Sequence, residues 1–563
     1  LAVAATWSGV DGRSPLDGLA VVTDPAGAEV AWLPATTLAD ATVVDALARA
    51  FARRPIAAHP AKPILRSLLA ADDTRPLPTV ALDTTLAAYL LDPAETRYAI
   101  DDVLGRYTDF ELPTGGSAPA GQLDLGGDTV DEGLLAARRA LAVDRLVEPM
   151  LAALDAQGLR SLNDDIEVPL VAVLARMEHL GVGVDRANLE ALNDRFSAEV
   201  EQLAAQIQED AGEEFNVNST PQLRVILFDK LGLTPTKKTK TGYSTDAASL
   251  EKMAGEHPII DHLLRYREVE KLRSTYGVGL LAEVADDDRI HATFNQTVAR
   301  TGRLSSDAPN LHNIPVRSDE GKAFREAFVP AEGFDLLVAD YNQIELRCIA
   351  HLAEDPGLIA AFTAGEDIHT ATAARVFHVD PSEVTGGQRA KAKMVSYGLA
   401  YGMEAYGLAQ RLSIPRSEAA EILDAYFAAF PAVRSYMDAT VAEARSRGYT
   451  ETLFGRRRPI PELASNNRGI RMAGERQAMN AGIQGLAADI FKVALIRLDQ
   501  ALVERGLRSR IVLQVHDEVI LEVPAEERDE VGALTLEVMH GAADLRVPLE
   551  VNLAFGSSWA DAK

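Results

Sequence analysis

Near the C-terminus two short apolar runs, Ile511-Val512-Leu513 and Val519-Ile520-Leu521, flank the polar stretch His516-Asp517-Glu518. Short β-branched runs around a polar break predict two strands joined by a tight turn. Two carboxylates and an imidazole then sit at a hairpin tip beside a buried sheet. Ionised carboxylates in such a place need a partner, and a cation is the usual one. A further apolar run, residues 334–339, reads as a strand that ends in Asp340-Tyr341-Asn342-Gln343-Ile344-Glu345-Leu346-Arg347. If the strands pair, Asp340 and Asp517 share one sheet edge. That arrangement suits two Mg²⁺ ions, which typically sit about 3.5–4 Å apart in phosphoryl-transfer sites. Taken alone, His516-Asp517-Glu518 reads more readily as a polar turn without chemistry, and the other motifs change that.

Elsewhere the pattern alternates between the two periods. Residues 19–22 and 29–33 read as strands with a turn near Pro25, and residues 38–53 and 84–91 as helices, so residues 1–150 form a small α/β domain. Residues 113–127 are Gly/Pro-rich and read as a loop. Helical spacing returns at 166–180 and 189–211, and Ser219-Thr220-Pro221 signals a helix start. Residues 237–242, Lys-Lys-Thr-Lys-Thr-Gly, read as a flexible basic loop, either tracking phosphates or merely solvated. A charged helix follows at 265–276. Residues 351–465 are again helical, and residues 475–498 form a helix leading back to the hairpin. In the helix at 388–401, Arg389, Lys393 and Tyr397 are spaced i, i+4, i+8 and share one face. Two cations and then a ring suit a triphosphate with its base stacked at the end. An ordinary surface helix with one amphipathic aromatic is the alternative.

Composition narrows the class. The 563 residues allow three or four domains, and no apolar run approaches a membrane span. The single cysteine, Cys348, excludes an intrachain disulfide. The chain starts at Leu1 with no leader-like segment and reads as part of a longer protein. A net charge of −27 argues against a nucleic-acid partner, but its distribution does not: residues 445–476 carry 8 Arg against 3 Glu. An acidic body with local basic tracts is compatible with a DNA groove.

Together these stretches resemble the large fragment of the bacterial family A DNA polymerases over most of residues 151–563. The resemblance rests on Asp340 to Arg347, on Arg389-x3-Lys393-x3-Tyr397-Gly398-x2-Tyr401-Gly402, and on Val515-His516-Asp517-Glu518. Residues 301–306 and Glu475-Arg476-Gln477-x2-Asn480 with Gln484 agree. It implies an α+β multidomain chain, a right-hand palm/fingers/thumb polymerase with an N-terminal α/β exonuclease-like domain. The implied parts are a degenerate 3′–5′ exonuclease-like domain at 1–150, thumb at 151–294, palm at 295–350, fingers at 351–465 and palm again at 466–563.

The implied chemistry is addition of a deoxynucleotide to a primer 3′-hydroxyl, with pyrophosphate release. Asp340, Asp517 and the Tyr341 carbonyl would hold two Mg²⁺, for which Mn²⁺ can substitute, with Glu518 in a secondary role. Gln343, Glu345, His369, Arg389, Lys393 and Tyr397 would bind the dNTP. Lys393 would donate a proton to pyrophosphate, and Glu345 would exclude a 2′-hydroxyl. Arg303, Tyr401, Arg476, Asn480, Gln484 and His516 would face primer–template DNA. A monomer working in repair and primer replacement, cytoplasmic and nucleoid-associated, is expected. Asn342 stands where the family commonly has Ser, and His312 where it has Gln. Tyr397, where the family uses Tyr or Phe, implies efficient dideoxynucleotide use. The family's exonuclease carboxylates are missing near Ala5-Thr6-Trp7, residues 59–63 and Arg138-Arg139, so no proofreading is expected. A two-metal nuclease, a silent DNA-binding module and an RNA-making relative remain as rivals; the Arg389 stripe, intact Asp340 and Asp517, and Glu345 argue against each in turn.

Overall fold

The structure, a computed structural model, describes residues 1–111, 131–240, 242–315 and 318–563. The loop expected at 113–127 lies outside the described residues. The chain divides into two compact units. The first comprises Leu1–Leu180, Phe294–Ser306 and Leu337–Ala554; the second comprises Gly181–Thr293, Asp307–Leu336 and Phe555–Lys563. Among the described residues no helix is long and apolar enough to cross a membrane.

The first unit begins with an antiparallel sheet of Val3–Trp7, Leu16–Asp24 and Glu29–Pro34. Ile56–Ala58 and Val80–Asp83 pair in parallel nearby, bridged to the first sheet through Ala2 and Ala57. Val3, Leu19, Ile56 and Leu65 are buried together with Val168, Val171 and Ala175. The Val168–Leu180 helix therefore closes the core of the N-terminal sheet, although it lies beyond residue 150 in sequence. The helix expected at 166 begins as a π-turn over Asn163–Glu167.

The sheet that carries the site has the strand order Arg510–Val515, Glu518–Pro524, Phe334–Tyr341, Val551–Gly556. The first two form the expected hairpin, with Val515 paired to Glu518 across a two-residue turn. The 37-residue Arg468–Glu504 helix packs against this region and exceeds the expected 475–498 at both ends. Asn467 caps its start by accepting from the amides of Gly469 and Ile470.

The second unit is built on the Arg186–Ala211 and Pro258–Leu272 helices, tied by Arg265 to Glu199. Two expectations change here. Residues 237–242 are not a plain loop: Lys238–Thr239 and Gly242–Tyr243 pair as a short hairpin, with Thr241 outside the described residues. Arg224 holds it by donating to the Tyr243 carbonyl at 2.7 Å, and Phe228 packs edge-on to Tyr243. The charged helix stops at Leu272 and continues as a π-turn over Arg273–Val278.

Candidate active site

The Phe334–Tyr341 strand and the hairpin tip meet through the backbone: the Tyr341 amide donates to the Asp517 carbonyl at 3.3 Å. Asp340 and Asp517 thus lie on one sheet edge. Both turns leaving this edge use left-handed residues, His516 at φ 57° and Gln343 at φ 58°. Two devices hold the geometry. Gln514 Nε2 donates to the His516 carbonyl at 2.7 Å, and Arg347 braces the second turn by donating to the Asn342 and Pro548 carbonyls. The Tyr341 side chain is buried and donates to the Met539 carbonyl, so only its backbone remains to serve the site.

A cavity of about 550 Å³ opens on this edge, within the range of small-molecule sites. Its walls include Arg303, Asp340, Tyr341, Gln343, Glu345, His369, Arg389, Lys393, Tyr397, Tyr401, His516 and Asp517. The stripe Arg389, Lys393, Tyr397 lies on the Gly386–Ala400 helix, which opens with a capping box between Thr385 and Gln388. His369 packs tilted against the Tyr397 ring at 5.7 Å. Burial, and then the nearby Lys393 charge, push the His369 imidazole down to about 4, so it is neutral at pH 7.

Four expected site residues do not line the cavity. Glu518 is buried at the start of the returning strand, because the turn ends at Asp517. Arg476, Asn480 and Gln484 lie along the Arg468–Glu504 helix. Arg476 and Asn480 lie against Gly402, whose φ of 65° strains any side chain and where a Cβ would meet both at 3.1 Å. Lys492 and Gln514, which sequence reasoning missed, do line it. A lysine beside Asp489 within the apolar run of that helix was the available signal for Lys492. Asn342 lines the cavity too, but its side-chain amide reaches Glu550.

The electrostatics of the edge are those of an acid cluster. Arg303 donates to Glu345 at 2.6 Å, and the Tyr401 hydroxyl lies 3.5 Å from the same oxygen. Asn552 donates to Asp340 at 3.3 Å. Burial, then the Glu345 and Asp340 charges, push the Asp517 carboxyl up to about 7. Among the described residues no cluster of three or more His, Cys, Asp or Glu side chains is arranged to hold a metal. Two carboxylates and a carbonyl suit Mg²⁺, which keeps waters and binds substrate phosphates instead of filling an all-protein cage. The excess of carboxylate at Asp517 fits an imported cation.

Comparison with known proteins points the same way. The family model for DNA polymerase family A matches residues 186–561. DNA polymerase I of Mycobacterium tuberculosis is 45% identical over 556 residues, covering 96% of this chain and 60% of the relative. DNA polymerase I of Geobacillus stearothermophilus is 47% identical over 491 residues, covering 86% and 56%. The chain thus spans little more than half the length of these relatives. A solved structure described as the POL domain of Pol1 from M. smegmatis, in complex with DNA primer-template and dNTP, matches with a TM-score of 0.90. It is 42% identical, and the match covers 100% of this chain and 96% of that one.

Proposed function

The chain belongs to DNA polymerase family A, and on that premise we propose that it extends a primer 3′-hydroxyl with dNTPs on a DNA template, releasing pyrophosphate. The observation that carries the reading is one cavity joining the Asp340–Asp517 edge to the Arg389, Lys393, Tyr397 stripe. Divalent cations held by Asp340, Asp517 and the Tyr341 carbonyl, Mg²⁺ or Mn²⁺, would activate the 3′-hydroxyl and neutralise triphosphate charge. Arg389 and Lys393 would bind the phosphates, Lys393 being the one able to donate a proton to pyrophosphate. Neutral His369 would offer a hydrogen bond without charge. Tyr397 would stack on the incoming base. Gln343 would contact the dNTP, and Glu345, held by Arg303, would exclude a 2′-hydroxyl.

Arg303, Tyr401, Arg476, Asn480, Gln484 and His516 would face the primer–template, where minor-groove contacts test pair geometry without reading sequence. Glu518 would act only indirectly, from behind the tip. Residues 295–350 and 466–563 would form the palm, 351–465 the fingers and 151–294 the thumb. Repair and primer replacement, as a monomer at the nucleoid, follow from the family reading.

Residues 1–150 would be an exonuclease-like domain without proofreading. The first strand ends at Thr6 and Trp7 with no carboxylate. The buried Asp83 accepts from the Ala61, Thr85 and Leu86 amides, and His59 is held between Thr84 and the Tyr98 carbonyl. These groups are engaged in structure. Mg²⁺-dependent trimming of a mismatched 3′ end would contradict this.

Primer extension by wild type and Asp517→Ala tests the central reading. Extension by wild type alone is expected. Binding of primed DNA without extension by either favours a silent module, and shortening of the primer favours a nuclease. The Tyr397 hydroxyl should also support dideoxynucleotide incorporation; equal chain termination by Tyr397→Phe would contradict that.

A further inference from the structure

The Arg389 guanidinium does not stand alone in the cavity wall. Its Nε and Nη2 both donate to Asp367 Oδ2, at 3.2 and 2.6 Å. This fills the side edge of the fork and leaves the end edge to the cavity that Arg389 lines. The other Asp367 oxygen, Oδ1, accepts from the Thr370 amide at 2.9 Å and caps the Ile368–Phe377 helix. That helix carries His369 and packs on the helix of Arg389. One carboxylate therefore anchors two walls of the cavity. Its own position is fixed by the helix cap.

We propose that Asp367 is a positioning residue for nucleotide binding: it holds Arg389 by one edge so that the other meets the triphosphate. The inference rests on the polymerase reading above. An arginine has several rotatable bonds, and a phosphate that finds it already oriented orders less on binding. The guanidinium is planar by itself, and the two-donor grip on Oδ2 fixes how that plane is turned. The charge state is consistent. Burial pulls the Asp367 carboxyl upward, but Arg389 and the Thr370 amide outweigh it and push it down to about 2, so the anchor is ionised wherever the protein works. The wall then presents Lys393 and an oriented Arg389, with a neutral His369 near both.

Asp367→Asn separates the two roles of the carboxylate, because asparagine still caps a helix but no longer offers an anionic oxygen. Steady-state primer extension across dNTP concentrations is the measurement, with the melting temperature as a control. The expected result is a KM for dNTP raised roughly 3- to 30-fold, as for a weakened hydrogen bond to a charged group. The kcat should stay within about twofold and the melting temperature should be unchanged. In an Arg389→Ala background, Asp367→Asn should change KM no further, since the interaction it supports is gone. An unchanged or lowered KM in the single variant would overturn the inference. So would an equal rise in the Arg389→Ala background, which would mean that Asp367 acts through the helix and not through Arg389. If wild type fails to extend a primer, the polymerase reading falls and this inference with it; normal extension by wild type with an unaffected KM removes this inference alone.

Discussion

Two groups of acids in the first unit, one fully buried and one half-buried, have opposite solutions to the same problem. Glu167 and Asp489 are both fully buried. Glu167 accepts from Lys492 at 2.7 Å, from Gln296 at 2.7 Å and from Arg456. Asp489 accepts from Arg456 at 2.8 Å and from Thr452 at 2.8 Å. Burial pulls the Glu167 carboxyl upward, but the Lys492 and Arg456 charges outweigh it and push it down to about 2. At the sheet edge, burial and then the Glu345 and Asp340 charges push Asp517 up to about 7, against a local backbone hydrogen bond and the more weakly felt Arg303. Two acids with two cations in contact make a closed internal network. Around Asp517 the two acids are felt more strongly than Arg303, which is already paired to Glu345, so an external cation is stabilised there. With burial pulling both acids upward, the balance of charge around each decides which way it shifts and separates structure from chemistry. Lys492 stands between the two, lining the cavity while paired with Glu167.

The sharpest break of this comparison is at Asp517. Asp517→Asn should lower primer extension by at least roughly 10³-fold, about 4 kcal/mol of barrier, with DNA binding retained in a gel-shift assay. Glu167→Gln should instead destabilise the fold by roughly 3–5 kcal/mol, because it leaves Lys492 and Arg456 short of a charge, read as a lower denaturant midpoint.

The pH dependence separates the two as well. Asp517 has a raised folded-state pKa, so its contribution to stability is full below about 4 and is lost as pH rises towards 7. Without divalent metal, Asp517→Asn should therefore exceed wild type in stability by on the order of 2–4 kcal/mol at pH 8, and the gap should close below pH about 4. Glu167 has a depressed pKa, so its contribution is present above about 4.5 and lost as pH falls towards 2. Thermal melts across pH check both signs. The smallest effect belongs to the exposed pair Arg476–Glu404 at 3.2 Å. Glu404→Gln should change stability by less than about 1 kcal/mol, measured by the same melts.

The hairpin was legible in the sequence because its information is local: two β-branched runs and a polar break. The Arg389, Lys393, Tyr397 stripe was legible because helical period alone places it on one face. Strand pairing was only conditional, since Phe334–Tyr341 enters the sheet between elements distant in sequence. The Glu167, Arg456, Lys492 network was invisible for the same reason: its members come from three separated segments, and each alone looks like an ordinary surface charge. Glu518 does not line the cavity with Asp517 because the turn ends between them: Asp517 is at the tip and Glu518 is already in the returning strand. Asp367 was hidden as a helix cap, a role that explains it without chemistry. The hairpin of Lys238–Thr239 and Gly242–Tyr243 was missed because strands of two residues carry no period to read.

The measurement that tests the account most directly is primer extension with Mg²⁺ and dNTPs by wild type, Asp517→Asn and Glu167→Gln, each expressed per folded molecule. Asp517→Asn should be folded but silent, and Glu167→Gln less stable, with a folded fraction that extends within a few-fold of wild type. Extension by Asp517→Asn, or a folded Glu167→Gln that is silent, would contradict the division between an acid edge that takes an external cation and a buried network that supplies its own.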